Sequence, residues 1–214
     1  MEWIIQLPVL LFSVVVHEFG HGWAAWRRGD KTALRSGRLT LNPLAHIDPF
    51  GTVFLPLLCF LVHAPMFGWA KPVPVNPARL RDPRRDLVKV ALAGPTANLV
   101  LALGAALLVR GVKAAGAVDA LPADLLATAR EFLLFAVSVN LLLAFFNLVP
   151  VHPLDGSKVL GGLLPESWRK TYLRHVPYGA LILLALISTR AFGSFVLAPA
   201  RLVLAAFTKV GLLG

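Results

Sequence analysis

Two histidines four residues apart flank a glutamate in His17-Glu18-Phe19-Gly20-His21. On a helix, positions i and i+4 stand one turn apart on one face, so both imidazoles can reach a single metal ion. Neutral imidazole nitrogen suits zinc. Glu18 lies beside the first ligand, placed to take a proton from a water that the metal activates. A catalytic zinc needs a third protein ligand and an open position. The candidate is Asp155, in Asn147-Leu148-Val149-Pro150-Val151-His152-Pro153-Leu154-Asp155-Gly156. Pro150 and Pro153 break a helix so that the chain can turn, and Gly156 eases that turn. An Asp-Gly pair is also an ordinary turn, so the aspartate gains weight only if it reaches the end of the chain where the histidines lie.

The elements that must bring these groups together are apolar. Of the 214 residues 57% are hydrophobic and only 15% charged, with a mean hydropathy of +0.72. Soluble domains are about a quarter charged, so this composition argues for a membrane protein. The histidine motif falls inside the first apolar run, about residues 3–26, where ionisable groups are costly and mark functional cavities. Further runs cover about 50–69, 90–109 and 132–149, and a last stretch, about 178–213, is interrupted by Arg190, Gly193, Pro199 and Arg201. That stretch reads as one long broken helix or a hairpin of two. The N-terminus has no basic leader and is expected to stay as the first spanning helix. The single cysteine, Cys59, excludes an intrachain disulfide.

Charge fixes the expected topology. The net charge of +10 sits in the short segments between apolar runs, which is the positive-inside pattern and not a nucleic-acid surface. Segments 27–49, 69–89 and 151–175 carry net charges of +3, +4 and +2, and segment 111–126 carries −1. If every run crossed, the first two would lie on opposite faces although both are basic. A re-entrant course for 50–68, broken at Pro56 and Pro65, removes the conflict. The ends of the first and fourth runs then meet on the cytoplasmic side. Gly37 with Leu39 and Leu41 predicts a short hairpin or edge strand, and 73–75, between prolines, at best an edge strand. The expected fold is an α-helical polytopic membrane protein, a single domain over 1–214 with a core at 3–163. It has about four to six membrane segments, a membrane-associated hairpin or edge strand and one re-entrant segment.

The pairing of His17-Glu18-Phe19-Gly20-His21 with the Asn147–Gly156 element resembles the site-2 protease family of intramembrane metalloproteases, in its small prokaryotic branch without PDZ or CBS domains. Also similar are Asn42-Pro43-Leu44-Ala45-His46-Ile47-Asp48-Pro49, Gly68-Trp69-Ala70-Lys71-Pro72-Val73-Pro74-Val75-Asn76-Pro77 and Ala93-Gly94-Pro95-Thr96-Ala97-Asn98. The resemblance implies one Zn2+ per chain held by His17, His21 and Asp155, with Glu18 as general base and Asn147 near the substrate carbonyl. It implies cleavage of single-pass membrane proteins, and the charge pattern puts the site toward the cytoplasmic side of a cell membrane. No motif is assigned beyond about Ser167.

Three other readings stand beside this one. One of them, a soluble-type zinc protease merely anchored to the membrane, would put its metal motif outside the apolar run, whereas His17 lies well inside it. An inactive membrane scaffold is weakened because all four catalytic positions are present. A metal or ion transporter would need polar residues across both leaflets and commonly an internal repeat, and the sequence has neither. Among the remaining polar residues, Asn98 is expected to satisfy backbone freed by Pro95. Asn147 has a second reading as an asparagine that joins helices, and Asn140, two turns earlier on roughly the same face, is less expected to serve the site. His152 reads as a loop residue or a neighbour of the ligands, the polar residues of the Asn42–Pro49 element as fixing a turn, and His63 and His175 as structural. Ala93 and Gly94 predict a close helix contact.

Overall fold

A computed structural model describes residues 2–62, 70–117 and 122–213. His63, Pro65 and the Gly68-Trp69 start of one shared element lie outside them. In chain order the helices are α1 (Glu2–Arg27), α2 (Thr32–Arg35), α3 (Leu55–Leu61), α4 (Pro83–Ala117), α5 (Ala123–Asn147), α6 (Asp155–Leu163), α7 (Glu166–Leu173), α8 (Gly179–Ile187) and α9 (Arg190–Lys209). Four of them are long and apolar enough to cross a membrane: α1 over Gln6–Arg27, α4 over Pro83–Ala115, α5 throughout, and α9 over Phe192–Lys209. The chain is an α-helical membrane protein, and its candidate spans among the described residues number four.

Helices α1, α4 and α5 form the central layer. His17 meets Asn98 and His21 meets Val90, so α1 and α4 run antiparallel. Asn98 meets Asn140, and Val109 and Lys113 further along α4 line one cavity with Leu126 and Arg130 near the start of α5, so α5 runs antiparallel to α4 and parallel to α1. The ends of α1 and α5 therefore lie at one end of the bundle, the arrangement that Asp155 needs. Small residues allow the approach. A Cβ on Gly20 would stand 2.8 Å from the Ala93 carbonyl oxygen, so the expected close contact runs through Ala93 and is completed by a glycine of α1. Further along, Ala102, Ala105, Ala106 and Val109 of α4 pack against Ala136, Val137 and Leu141 of α5.

The C-terminal stretch is two helices. Phe192 of α9 packs edge-on against Phe146 at 6.0 Å, near the end of α5. At the other end Leu212 and Leu213 join the cluster of Val109 and Val137, so α9 runs antiparallel to α5. The break before α9 is a capping event: Thr189 is extended, and its hydroxyl accepts the Phe192 N–H at 3.2 Å.

The expected strands do not form among the described residues. Residues 36–41 are turn and bend, and 71–76 are extended coil without a ladder. The reason is chemical, because Pro72, Pro74 and Pro77 have no N–H to give a ladder. Side chains serve this backbone instead. The Arg38 guanidinium donates to the Lys71 and Pro72 carbonyls at 2.5 and 3.3 Å, and Asp30 accepts the Asn76 N–H at 2.6 Å. Val73 and Leu39 lie side by side over Gly22 of α1, where a Cβ would meet them at 3.0 and 3.2 Å. The Asn42–Pro49 element does fix turns: Asn42 accepts from Leu44 N–H and Asp48 from Phe50 and Gly51 N–H. Buried His46 bonds the Thr40 carbonyl at 2.9 Å.

Asp30 is fully buried and accepts from the Thr32 backbone, the Thr32 hydroxyl and Asn76. Burial alone would raise its pKa, but these bonds and the Arg79 charge outweigh it and lower the value. A folded pKa below the unfolded one means that the stabilisation is complete above about pH 4 and is lost as pH falls through the folded pKa. Asp30→Asn is expected to cost about 2–3 kcal/mol at neutral pH, the scale of a bond or two to a charged group. Melting in detergent should record a gap between wild type and variant that closes as pH falls below about 4.

Candidate metal centre

One turn of α1 and the first residue of α6 meet here. His17, His21 and Asp155 are buried, and each offers one ligand atom to a common point. The two Nε2 atoms are 3.0 Å apart, and Asp155 Oδ2 lies 3.1 Å from that of His17 and 2.9 Å from that of His21. The outer nitrogens are engaged as well. His21 Nδ1 donates to the Val90 carbonyl at 2.7 Å, and His17 Nδ1 lies 2.6 Å from the Asn98 amide oxygen. A carbonyl only accepts, so His21 Nδ1 carries a proton, and in the neutral ring Nε2 presents a lone pair inward.

A carboxylate oxygen facing such lone pairs at these distances repels them unless a proton or a metal cation stands between. A tetrahedral zinc with bonds of about 2.0–2.1 Å separates its ligands by about 3.4 Å. Opening the triad by roughly half an ångström therefore accommodates it. Space is left by Gly94 of α4: a Cβ there would lie 2.4 Å from His21 Nε2 and 2.6 Å from His17 Nε2. That volume is the one an ion bound to both nitrogens needs. The donor set, two imidazoles and one carboxylate, fits a zinc that keeps an open position.

The surroundings orient these three side chains. Lys158, one turn along α6, donates to Asp155 Oδ1 at 3.0 Å, which leaves Oδ2 for the centre. The turn before Asp155 is held from outside: Tyr172 donates to the Pro150 carbonyl at 2.7 Å, and the His152 N–H donates to His175 Nε2 at 3.1 Å. His152 and His175 thus belong to the support of that turn and not to the ligand set. Gly156 is needed for space: a Cβ would come within 2.2 Å of the Leu148 carbonyl oxygen. Half-buried Glu18 accepts the Val73 N–H at 2.7 Å through Oε2. Asn147, the last residue of α5, donates to the Leu143 carbonyl one turn back.

Sequence reasoning missed the inner polar layer. Asn98 does not turn back to backbone freed by Pro95; its amide reaches His17, Ser13 and Asn140. The available signal was Ser13, one turn before His17 on the same face, with two asparagines in other apolar runs.

The description of peptidase family M50 matches residues 6–188. The chain belongs to that family, the site-2 proteases. Among M50 relatives, "Putative zinc metalloprotease YwhC" of Bacillus subtilis is 39% identical over 195 residues, covering 89% of this chain and 82% of that one. "Putative zinc metalloprotease Rip2" of Mycolicibacterium smegmatis is 32% identical over 188 residues, covering 88% and 68%. Rip2 of Mycobacterium tuberculosis is 37% identical over 160 residues, covering 74% and 57%. No solved structure matches the chain significantly. The M50 match contains every residue of the converging triad.

Proposed function

We propose that this chain is a zinc-dependent intramembrane endopeptidase that cuts transmembrane segments of single-pass membrane proteins. The observation that carries the reading is the depth of the ligand triad. His17 lies ten residues before Arg27 on α1, about 15 Å along the helix, roughly half the hydrocarbon thickness of about 30 Å. A peptide bond must be brought into the membrane to reach it.

Zinc held by His17, His21 and Asp155 would supply Lewis acidity, polarising the scissile carbonyl and making water acidic near neutral pH. Glu18 takes the proton of the attacking water and delivers it to the leaving amine. Val73 N–H holds one Glu18 oxygen, so the carboxylate is aimed without being consumed. Asn147 uses one amide hydrogen on Leu143 and has a second for the substrate carbonyl oxygen. Segment 71–76, already extended beside Glu18, offers backbone to an unwound substrate by strand addition.

The site opens toward the cytoplasm of the cell membrane on this reading, since the basic segments lie at the ends of α1 and α5. Re-entry of the apolar segment after Pro49 is supported by charge: segments 27–49 and 69–89 carry +3 and +4 and share a face only if the chain between them returns.

Incubation of the purified protein in detergent with a panel of single-pass membrane proteins tests the proposal. Cleavage inside the membrane segment is expected, abolished by a zinc chelator and restored by zinc. Cleavage that survives chelation, or falls only in soluble tails, counts against it. Zinc binding with no cleavage of any membrane substrate would favour the scaffold reading.

A further inference from the structure

The buried polar layer behind His17 has a direction. Ser13, Asn98 and Asn140 are each at most 1% exposed, inside three packed apolar helices. Polar groups there are costly unless paired, and all three are paired. Each polarity follows from a backbone carbonyl, which can only accept. The Ser13 hydroxyl donates to the Val9 carbonyl at 2.8 Å, so its oxygen is left to accept. The Asn140 amide group nearest Ser13 Oγ, at 2.9 Å, is also 2.8 Å from the Ala136 carbonyl, so that group must be the NH2. Its oxygen is thereby turned to Asn98, 2.7 Å away. Asn98 in turn must present NH2 to Asn140 and to the Ser13 carbonyl at 3.1 Å. That leaves the Asn98 oxygen facing His17 Nδ1 at 2.6 Å.

An oxygen in that place fixes the proton of the neutral imidazole on Nδ1 and leaves Nε2 bare, aimed at His21 and Asp155. We infer that Asn140, anchored on Ser13, is a positioning residue for the metal centre: it orients the Asn98 amide, which sets the tautomer and ring angle of His17. The inference rests on the metal-centre reading above. Outer partners of this kind change metal affinity by about 10–100-fold. Asn140 touches neither a ligand nor the site, so its effect must pass through Asn98. Asn140→Leu keeps the size of the side chain but leaves one Asn98 N–H without a partner and frees the amide to turn.

The test uses full-length protein in detergent with two readouts. Zinc affinity is measured by chelator competition, and the His17 tautomer by 15N resonances of histidine-labelled, metal-free protein, assigned with His17→Gln. Wild type is expected in the Nδ1–H form. Asn140→Leu should mix the tautomers and weaken zinc about tenfold. Ser13→Ala should move both readouts the same way by less, and it carries the test if Asn140→Leu does not fold. Asn98→Leu should be weakest, with the double variant Asn98→Leu/Asn140→Leu no weaker, because the second residue acts only through the first. Wild-type tautomer and zinc affinity in both Asn140→Leu and Ser13→Ala would overturn the inference, even with lowered melting temperatures. Wild type that binds no zinc, yet holds His17 as Nδ1–H in a manner lost in Asn140→Leu, would overturn the metal-centre reading and support the relay.

Discussion

Glu18→Gln should lower peptide hydrolysis by about 10²–10⁴-fold, the usual contribution of a general base, while zinc content stays at the wild-type level. The substitution keeps the size and shape of the side chain. Its amide oxygen can still accept the Val73 N–H that Glu18 accepts at 2.7 Å, so segment 71–76 remains docked. What is lost is the ability to take a proton. The three ligand atoms belong to other residues, which is why metal binding and turnover separate. Single-turnover cleavage with zinc measured in the same sample checks this. Equal rates in wild type and variant would remove Glu18 from the mechanism.

Gly94→Ala should disable the site from the opposite side, by abolishing stable zinc binding. The added methyl would lie 2.4 Å from His21 Nε2, 2.5 Å from His21 Cε1 and 2.6 Å from His17 Nε2. None of these atoms is the loose end of a flexible chain, because each ring is tied at its other nitrogen, to Val90 or Asn98. Either the rings tilt away from Asp155, or α4 withdraws from α1 and takes Asn98 with it. Both moves break the convergence. Overpacking of this kind costs about 1–3 kcal/mol of stability, and zinc affinity should fall at least as far as on loss of an outer ligand partner, about 100-fold. Chelator competition measures it, and near-wild-type affinity would mean that the ion does not occupy the space under Gly94.

The converging triad was legible in the sequence because ionisable residues in an apolar run have few structural reasons to be there. His17 and His21 share a helix face by spacing alone, and charge asymmetry brought Asp155 to the same end. The chain bears this out through the parallel course of α1 and α5. Other features were hidden because periodicity reports which face is apolar and not which partner a polar group meets. Ser13, Asn98 and Asn140 could be read only as helix contacts until their mutual distances were known. The strand expected around Leu39 from apolar alternation failed because alternation does not report whether a partner strand is there, and the segment around Val73, already limited by its prolines to an edge strand, forms no ladder. Three prolines remove the ladder, and Arg38 and Asp30 bind the backbone in its place. The split of the last apolar stretch turned on one side chain, Thr189, which caps α9.

The central claim is that His17, His21 and Asp155 hold one zinc. Zinc stoichiometry joined to zinc X-ray absorption on the purified, metal-replete protein tests it most directly. The expected result is one zinc per chain in a shell of nitrogen and oxygen at about 2.0–2.1 Å. Scattering from two imidazoles should be visible and should fall to one ring in His17→Ala or His21→Ala. Wild-type protein without stoichiometric zinc, or a shell unchanged in both histidine variants and in Asp155→Ala, would contradict the account.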